Sequence, residues 1–391
     1  MTGLMTQTES VRTDPSVKIL LGTALDRLRD LPDESVHCVV TSPPYYGLRD
    51  YKIEHSVWAP AVYSPMAGLP ELSVPEHGNP EAFSSCDHEW GERKTYSTVR
   101  ESTKYGKGRT TARFYGDDPT RRFDGNHQKH FDGSFCVRCG AWKGCLGNEP
   151  TPELFVGHLV QVFREVRRVL RSDGTLWLNF GDSYTARGGR RKTHYDRLIP
   201  GRSSIDIRQQ IPEGLKEKEI IGVPWRVALA LQSDGWFLRQ DIIWSKRNPM
   251  PGSYKDRCTS AHEYIFLLAK SRRYFFDYEA LSEPAVSTGA RTSFSRKTGK
   301  VGMPWKNSQH RLERTYIEYS KKRNIRSVWS FSTCPFPEAH FAVFPPELPK
   351  KVLMAGMPKG GVCAECGAPF ILTEGLWKSS CGHSEISGGG G

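Results

Sequence analysis

Four consecutive residues, Ser42-Pro43-Pro44-Tyr45, bring a hydroxyl, two prolines and an aromatic ring together. The Ser42 hydroxyl and the Pro43 carbonyl can each accept a hydrogen bond, and the prolines stiffen the loop without adding N–H donors. An exocyclic amine on a nucleobase needs such acceptors, because its lone pair is delocalised into the ring and must be localised before it attacks. The face of Tyr45 would support the base by stacking.

The residues before this loop predict a strand, a helix and a second strand. Residues 17–21 are a short apolar run, residues 24–31 repeat leucine at near-helical spacing, and residues 36–40 form a second apolar run that leads into Thr41. A rigid proline turn after a buried strand is the simpler interpretation of the loop. Its position favours a site, because α/β sheets bind ligands at the carboxyl ends of their strands.

The rest of the chain alternates between helical and strand patterns, which predicts an α/β fold with a parallel sheet. The predicted helices cover residues 152–170, 225–233 and 346–355, and the predicted strands cover residues 174–180, 240–244 and 263–269, with order resuming at Val328.

Two irregular stretches interrupt these patterns and divide the chain into seven predicted segments. They are a flexible N-terminus (1–13), the first part of the catalytic core (14–58), an insertion (59–148), the second part of the core (149–285), a basic insertion (286–325), a return to the core (326–361) and a C-terminal Cys/His cluster with a glycine-rich tail (362–391).

Four segments together resemble the site-specific DNA methyltransferases of the N4-cytosine/N6-adenine group, in the order that places the catalytic loop before the cofactor loop. Residues 41–45 match the family's catalytic motif, and residues 174–182 resemble the strand that follows it. Residues 241–251 resemble a motif that borders the target-base pocket, and residues 340–346 resemble the segment that helps to wrap the cofactor. The resemblance runs from about residue 17 to residue 361.

This resemblance implies a Rossmann-like sheet that binds S-adenosylmethionine and a methyl transfer to N4 of cytosine or N6 of adenine in DNA, as in restriction-modification or phage modification systems. The serine before Pro-Pro-Tyr favours cytosine, while the physical argument leaves adenine open. The implied roles are catalytic for Ser42, Pro43, Pro44 and Tyr45, cofactor-binding for Thr41, Phe341, Phe344 and Pro345, and target-base binding for Trp244, Lys246 and Asn248.

One departure from the family concerns the cofactor. The family's Asp-Pro-Phe-x-Gly-x-Gly loop is absent from the sequence, and residues 357–361 do not replace it. The alternative hypothesis is therefore a truncated or split methyltransferase that binds DNA without catalysis on its own. Its expected partners are a separate polypeptide that carries the missing motif and a cognate restriction enzyme.

The cysteines of the chain suggest metal sites. Ten cysteines in a chain without a secretory signal are expected to stay reduced, so their spacing is examined for zinc first. A Cys-x-His pair lies upstream of a Cys-x-x-Cys pair, and Zn²⁺ takes four such ligands in a tetrahedron. The predicted structural zinc set is Cys86, His88, Cys136 and Cys139, and a second, weaker set is Cys363, Cys366, Cys381 and His383.

The charge of the chain favours a polyanionic partner. Its formal net charge is +12, and residues 286–325 hold ten Lys or Arg against two acidic residues, a balance of 10 − 2 = +8. In the family this position holds the target-recognition region, so we expect double-stranded DNA as the partner. The predicted DNA-binding residues are Arg291, Arg296, Lys297, Lys300, Arg311 and Arg314. No apolar run long enough to span a membrane occurs, and we expect a cytoplasmic protein.

Two other enzyme classes fit the sequence less well. RNA or protein N-methyltransferases place their cofactor loop before the catalytic motif, and the roughly 20 residues between Lys18 and Thr41 are too few for it. A carbon-5 cytosine methyltransferase needs a nucleophilic cysteine after a strand, and Cys334-Pro335 lacks that setting.

Overall fold

The computed structural model describes residues 17–47, 54–92, 94–96, 131–185, 211–252, 254–285, 291–295, 313–317, 322–334, 343–363, 370–373, 376–379 and 381. The chain divides into two compact units. The first comprises Met1–Arg239 and Leu268–Arg272, and the second comprises Gln240–Leu267 and Arg273–Gly391.

In its described residues the first unit contains three α-helices and a set of mostly short strands. Its elements are α1 (Ala24–Arg29), β1 (Val36–Thr41), β2 (Ser56–Trp58), β3 (Ala61–Tyr63), β4 (Leu72–Val74), a 3-10 turn (Phe83–Ser85), β5 (Lys94–Tyr96), β6 (Phe131–Phe135), β7 (Trp142–Gly144), α2 (Pro152–Val169), β8 (Leu170–Phe180) and α3 (Val223–Ser233). Strands β1 and β8 pair in parallel, so their carboxyl ends lie at the same edge.

Helix α2 organises the core of this unit. The Thr151 side chain caps its first turn by accepting a hydrogen bond from the Leu154 amide, and Pro152 occupies the first helical position. Apolar residues recur along one face, and that face is buried against α3 and β3. Gly157 allows the close approach, because a Cβ there would lie 2.4 Å from the Ala61 Cβ.

The insertion contains regular structure at both of its described ends. Strands β2, β7, β6 and β5 form an antiparallel sheet in that order, and β3 pairs with β4. The strands are three to five residues long, which is too short for a period-2 pattern to stand out in the sequence. Trp58 and Trp142 are opposite each other in the β2–β7 register, and both are buried.

In its described residues the second unit contains one helix and strands β9 to β17, of which β9 begins and β10 ends within the ranges of the first unit. The elements are β9 (Phe237–Lys246), β10 (His262–Ala269), β11 (Glu283–Pro284), β12 (Arg291–Ser295), β13 (Glu313–Ile317), β14 (Lys322–Arg323), β15 (Val328–Phe331), α4 (Glu347–Gly356), β16 (Phe370–Thr373) and β17 (Leu376–Ser379). Strands β10, β9 and β15 are neighbours in that order, and β15 runs parallel to β9. Three antiparallel ribbons, β11–β14, β12–β13 and β16–β17, accompany them.

Most of the predicted elements are confirmed, with ends that differ by up to four residues. The predicted strand at 174–180, for example, begins at Leu170 directly after α2. The predicted strand at 17–21 is wrong, because these residues are not in a strand, and Val17, Ile19 and Leu21 are 59, 64 and 86% exposed. Among the described residues no strand pairs with them, and an unpaired extended segment leaves its backbone N–H and C=O groups without partners in a sheet. No helix in the described part of the chain is both long and apolar enough to cross a membrane.

Candidate active site and metal centre

The Ser42–Tyr45 loop leaves β1 at the edge where β8 also ends. Thr41 pairs with Leu178 in the parallel register, so the loop begins beside the last residues of β8. The four loop residues are half-buried, whereas the following Tyr46 and Gly47 are buried. The loop is therefore anchored at its far end and accessible where the predicted catalytic groups lie.

A chain of hydrogen bonds connects the loop to β8. The Ser42 hydroxyl donates to the Tyr45 hydroxyl over 3.3 Å, and the Tyr45 hydroxyl donates to the Asn179 Oδ1 over 3.2 Å. The amide oxygen can only accept, so it fixes the direction of both bonds. The lone pairs of Ser42 then remain available to accept a hydrogen bond from a substrate amine.

Asn179 was not among the predicted site residues. Its side chain is 1% exposed, and it stands in the otherwise apolar end of β8 next to Phe180, whose ring lies 5.6 Å from that of Tyr45. A polar amide inside an apolar strand is the sequence feature that indicates such a residue, because buried amides require partners.

Further hydrogen bonds fix the far end of the loop. The Ser183 hydroxyl donates to the Tyr46 carbonyl over 3.1 Å, and the Gly47 amide donates to the Gly147 carbonyl over 2.8 Å. The Tyr46 ring packs against Phe155 of α2 with centroids 5.5 Å apart. The loop is thereby attached to β8, to α2 and to the end of the insertion.

Asp182 connects the end of β8 to α3. Its Oδ1 accepts hydrogen bonds from the amides of Ser183, Gly222 and Val223, at 2.8 to 3.2 Å. Gly222, at the start of α3, has φ +76 and no capping side chain of its own, so Asp182 supplies the cap. Burial raises the pKa of Asp182, while the three backbone N–H groups and Arg226 oppose that shift.

An apolar cavity of about 450 Å³ lies behind the loop. Thr41, Ser42, Pro43 and Pro44 form one wall. The remaining lining is mainly aliphatic and aromatic and includes Leu28, Val39, Val40, Leu159, Val162 and Phe163. Among the described lining residues Arg27 has the one charged side chain, and the lining otherwise suits a planar or apolar group.

The four residues of the first predicted zinc set are brought together. Their potential ligand atoms all lie within 4.8 Å of one another. The Cys86 and Cys136 Sγ atoms are 3.8 Å apart, and the Cys139 Sγ is 3.4 Å from the His88 Nδ1. Zn–S bonds of about 2.3 Å and Zn–N bonds of about 2.0 Å in a tetrahedron place two sulfurs about 3.8 Å apart and a sulfur and nitrogen about 3.5 Å apart. The spacing and donor types therefore fit Zn²⁺.

The surroundings of this cluster, which we call the Cys3His cluster, shift its thiols in opposite directions. Desolvation disfavours the Cys136 thiolate, but backbone N–H groups and His88 outweigh it and lower the pKa of Cys136 to about 6. Desolvation and the neighbouring Cys139 and Cys136 raise the pKa of Cys86 to about 12. Cys136 and Cys139 are 2 and 1% exposed and pack with Ala141, Phe83 and Trp90. The cluster is thus the centre of a small core of its own within the insertion.

The predicted target-base residues lie in the second unit, and each of them contacts another side chain or backbone group there. Trp244 is 4% exposed, its ring stacks on that of Phe331 at 5.1 Å, and its Nε1 donates to the Phe331 carbonyl. Lys246 forms an ion pair with Glu263 and lies 5.0 Å from the Trp244 ring centroid. The Asn248 Oδ1 accepts a hydrogen bond from the Thr333 amide.

Only some of the other predicted site residues lie in the described part of the chain. Phe344 is half-buried and Pro345 is buried just before α4, whereas Phe341 lies outside the described residues. Of the second Cys/His set, Cys363 is buried and Cys381 is half-buried, and Cys366 and His383 lie outside the described residues. Arg291 and Arg314 lie on the paired strands β12 and β13. The remaining predicted DNA-binding residues, Arg296, Lys297, Lys300 and Arg311, fall outside the described part of the chain.

Comparison with known proteins gives consistent matches. A family model described as DNA methylase matches residues 36–365. The chain is 34% identical over 346 residues to the type II methyltransferase M.SmaI of Serratia marcescens, an alignment that covers 88% of this chain and 77% of the relative. It is 34% identical over 339 residues to M.XycI of Xanthomonas campestris pv. cyanopsidis, covering 87 and 72%. Among solved structures, the cytosine-N4-specific PvuII DNA methyltransferase matches with a TM-score of 0.39 and 12% identity, over 86% of this chain and 70% of that one.

Proposed function

Because the chain belongs to the DNA methylase family whose model spans residues 36–365, we propose that it transfers a methyl group from S-adenosylmethionine to an exocyclic amine of double-stranded DNA. The observation that carries this proposal is the hydrogen-bond chain from Ser42 through Tyr45 to Asn179, at the carboxyl end of two parallel strands. The test is transfer of radiolabelled methyl from S-adenosylmethionine to duplex DNA by the full chain, with Ser42→Ala as the negative control.

In this mechanism the loop prepares the amine as a nucleophile. The Ser42 Oγ and the Pro43 carbonyl accept the two N–H groups of an extruded base, which draws the nitrogen towards tetrahedral geometry and localises its lone pair. The Tyr45 ring supports the base, and the hydroxyl of Tyr45 holds the hydroxyl hydrogen of Ser42 away from the amine. Bound S-adenosylmethionine supplies an electrophilic methyl group on a sulfonium.

The cavity behind the loop accommodates part of the cofactor in this proposal. Thr41 borders it, and its apolar lining suits a planar ring. The resemblance to the family assigns Phe341, Phe344 and Pro345 to the cofactor as well, and we keep that assignment as part of the proposal. The family's glycine-rich loop for the methionine moiety has no counterpart in the sequence.

For the target base we propose N4 of cytosine over N6 of adenine, because a serine stands before Pro-Pro-Tyr. Both bases present an NH₂ group to the same two acceptors, so the mechanism runs on either. We also propose that Trp244, Lys246 and Asn248 border the base pocket. Mass spectrometry of nucleosides from modified DNA decides: N4-methylcytosine supports the proposal, and N6-methyladenine alone refutes the choice of base.

The basic segment at 286–325 is our proposed site of target recognition. Strands β12 and β13 form an antiparallel ribbon that carries Arg291 and Arg314, and a two-stranded ribbon fits the major groove. The local charge of +8 attracts phosphates irrespective of sequence. If the protein belongs to a restriction-modification system, we expect a restriction enzyme with the same recognition sequence as its counterpart. We also expect a cytoplasmic location.

We propose structural Zn²⁺ at the Cys3His cluster, since its donors and spacing fit the ion. The metal would hold β5 to β7 together, as the described residues there bury only a small apolar cluster. For the second set of Cys363, Cys366, Cys381 and His383 the proposal rests on the sequence alone.

The alternative function is DNA binding without catalysis. It was raised because this sequence shows no glycine-rich loop of the family's type, and the matches to type II methyltransferases do not favour it. A segment that supplies the loop from another polypeptide would need a place to pair, and β1 offers one, since β8 is its sole strand neighbour among the described residues. Calorimetric titration of the full chain with S-adenosylmethionine separates the two functions: saturable binding supports the enzyme, and no binding supports the alternative.

A further inference from the structure

A buried acid and a buried histidine lie beneath the catalytic loop, outside the residues assigned so far. The Glu149 and His158 side chains are both fully buried, and the His158 Nδ1 lies 2.9 Å from the Glu149 Oε1. The His158 ring stacks on two indoles, with centroids 5.0 Å from Trp58 and 5.5 Å from Trp142. The stacking restricts the plane of the ring, and the hydrogen bond to Glu149 selects the orientation in which Nδ1 faces the carboxyl group.

The second carboxylate oxygen reaches the loop through a glycine. The Glu149 Oε2 accepts a hydrogen bond from the Gly147 amide over 2.8 Å, and the Gly147 carbonyl accepts from the Gly47 amide over 2.8 Å. Gly147 has φ +92, and a Cβ added there would lie 3.0 Å from the Pro44 Cβ and 3.3 Å from the Tyr45 carbonyl oxygen. The backbone at Gly147 therefore packs closely against Pro44 and Tyr45, with little room for a side chain between them.

This pair depends on two polar groups in the Glu149 side chain. The Glu149 Oε2 accepts from the Gly147 amide, and its Oε1 lies within hydrogen-bond distance of the His158 Nδ1. A glutamine can keep both bonds, because its oxygen accepts from Gly147 and its NH₂ donates to the Nδ1 of a neutral imidazole. A methionine keeps neither bond.

We propose that Glu149 and His158 are positioning residues that set the place of the Ser42–Tyr45 loop through Gly147. His158 lies on α2, and its ring is held by stacking on the indoles. Glu149 contacts this ring and also accepts from the Gly147 amide, and Gly147 packs against Pro44 and Tyr45. The inference rests on the proposed methyl transfer for its kinetic consequence. The structural consequence, a loop held in place, is independent of it.

The first arm of the test measures amide hydrogen exchange in the full chain. In Glu149→Met the amides of Gly47 and Gly147 are expected to exchange at least about tenfold faster, while the amides of β1 and β8 stay as protected as in the wild type. Glu165→Met is the control, because Glu165 lies on α2 and is paired with Arg168. Unchanged exchange in Glu149→Met, or equally faster exchange throughout β1 and β8, overturns the proposal.

The second arm measures steady-state methylation of duplex DNA by the same variants. Glu149→Met should lower kcat by about 10- to 100-fold with KM for DNA and for S-adenosylmethionine within about twofold, because a displaced catalytic group costs rate and leaves binding intact. Glu149→Gln keeps an acceptor for Gly147 and a donor for a neutral His158, and it should stay within about threefold of the wild type. His158→Asn keeps a donor for Glu149 and should also stay within about threefold.

The double variant Glu149→Met/His158→Leu separates positioning from packing. It should melt no lower than Glu149→Met and show the same low kcat, and recovery of kcat in this variant contradicts a positioning role. A wild-type chain that transfers no methyl group refutes the proposed function instead. The exchange measurement then decides the positioning role alone.

Discussion

The hydroxyl of Tyr45 and the amide oxygen of Asn179 lie 3.2 Å apart, although the two residues are separated by 134 positions in the chain. This hydrogen bond connects the loop that follows β1 to the C-terminal end of strand β8. It also determines which partner of the Ser42–Tyr45 bond donates, because the amide oxygen only accepts. The direction of two hydrogen bonds therefore depends on one buried amide.

Substitutions in the loop should abolish methyl transfer while DNA binding persists. We expect Ser42→Ala and Tyr45→Ala each to lower kcat by at least about 100-fold, since both remove groups that act on the amine, with the Kd for duplex DNA within about threefold. Tyr45→Phe, which keeps the ring and removes only the hydroxyl, should be less impaired than Tyr45→Ala. Near-normal turnover in either alanine variant would exclude the catalytic assignment.

Two replacements of Asn179 should distinguish the effect of its hydrogen-bond acceptor from the effect of its side-chain size. Asn179→Leu leaves the Tyr45 hydroxyl without its acceptor, so we expect about 1–3 kcal/mol lower stability and about tenfold lower kcat. Asn179→Asp keeps an oxygen that accepts from Tyr45 and should retain more activity than the leucine variant. Urea unfolding and steady-state methylation measure the two effects, and equal activity of the two variants would contradict the role of the acceptor.

The sequence predicted the parts of the molecule that depend on local order. The apolar face of α2 and the loop after β1 followed from periodicity and position, and the Cys3His cluster followed from ligand spacing across some 50 residues. Asn179 was not predicted, because its partner is distant in the chain and one amide in a strand has no spacing pattern. The prediction of a strand at residues 17–21 was wrong for a related reason. A strand needs a neighbouring strand to pair with, and the residues of an apolar segment do not indicate whether such a neighbour exists.

Removal of the paired cysteines should remove one zinc ion per chain. Cys136→Ser/Cys139→Ser is expected to lose about one equivalent of zinc and to melt several degrees lower, because the cluster is the core of this part of the insertion. Cys258→Ser is the control, since Cys258 is exposed and outside the cluster. Cys363 and Cys381 are changed to serine in every variant so that a second site does not confuse the count. Identical zinc content in the two variants would argue against the site.

The cap supplied by Asp182 should be replaceable by a neutral acceptor. Asp182→Ala is expected to cost about 1–2 kcal/mol of stability, because the first amides of α3 lose their acceptor, whereas Asp182→Asn keeps an oxygen there.

The same position predicts a dependence on pH. Burial raises the pKa of Asp182 in the folded chain, so its contribution to stability is full below the unfolded pKa of about 4 and is lost as pH rises through the folded pKa. The stability of Asp182→Asn relative to the wild type should therefore increase between pH 4 and pH 7. Urea titrations at both pH values measure it, and a decrease over that interval would show that the cap prefers the charged form.

Salt should weaken DNA binding steeply, and the slope should depend on the basic ribbon. Each phosphate neutralised by Lys or Arg adds about 0.9 to the slope of log K against log salt concentration, so Arg291→Ala/Arg314→Ala should reduce the slope by about 1–2. Lys216→Ala removes an exposed cation that is paired with Glu219 and should leave the slope unchanged. Fluorescence anisotropy with a labelled duplex at four salt concentrations gives the slopes, and equal slopes in both variants would remove the ribbon from the DNA contacts.

Strand β1 is paired with β8 along one edge, and in the described part of the chain no strand covers its other edge. Leu20 lines the same cavity as Val39 and Val40, and Val17, Ile19 and Leu21 expose their side chains to water. An uncovered edge beside apolar side chains pairs readily with any extended segment, including the same edge of another molecule. Sedimentation of the purified chain at several concentrations tests this edge: self-association that a strand-adding peptide reverses shows that the edge is open in the full chain.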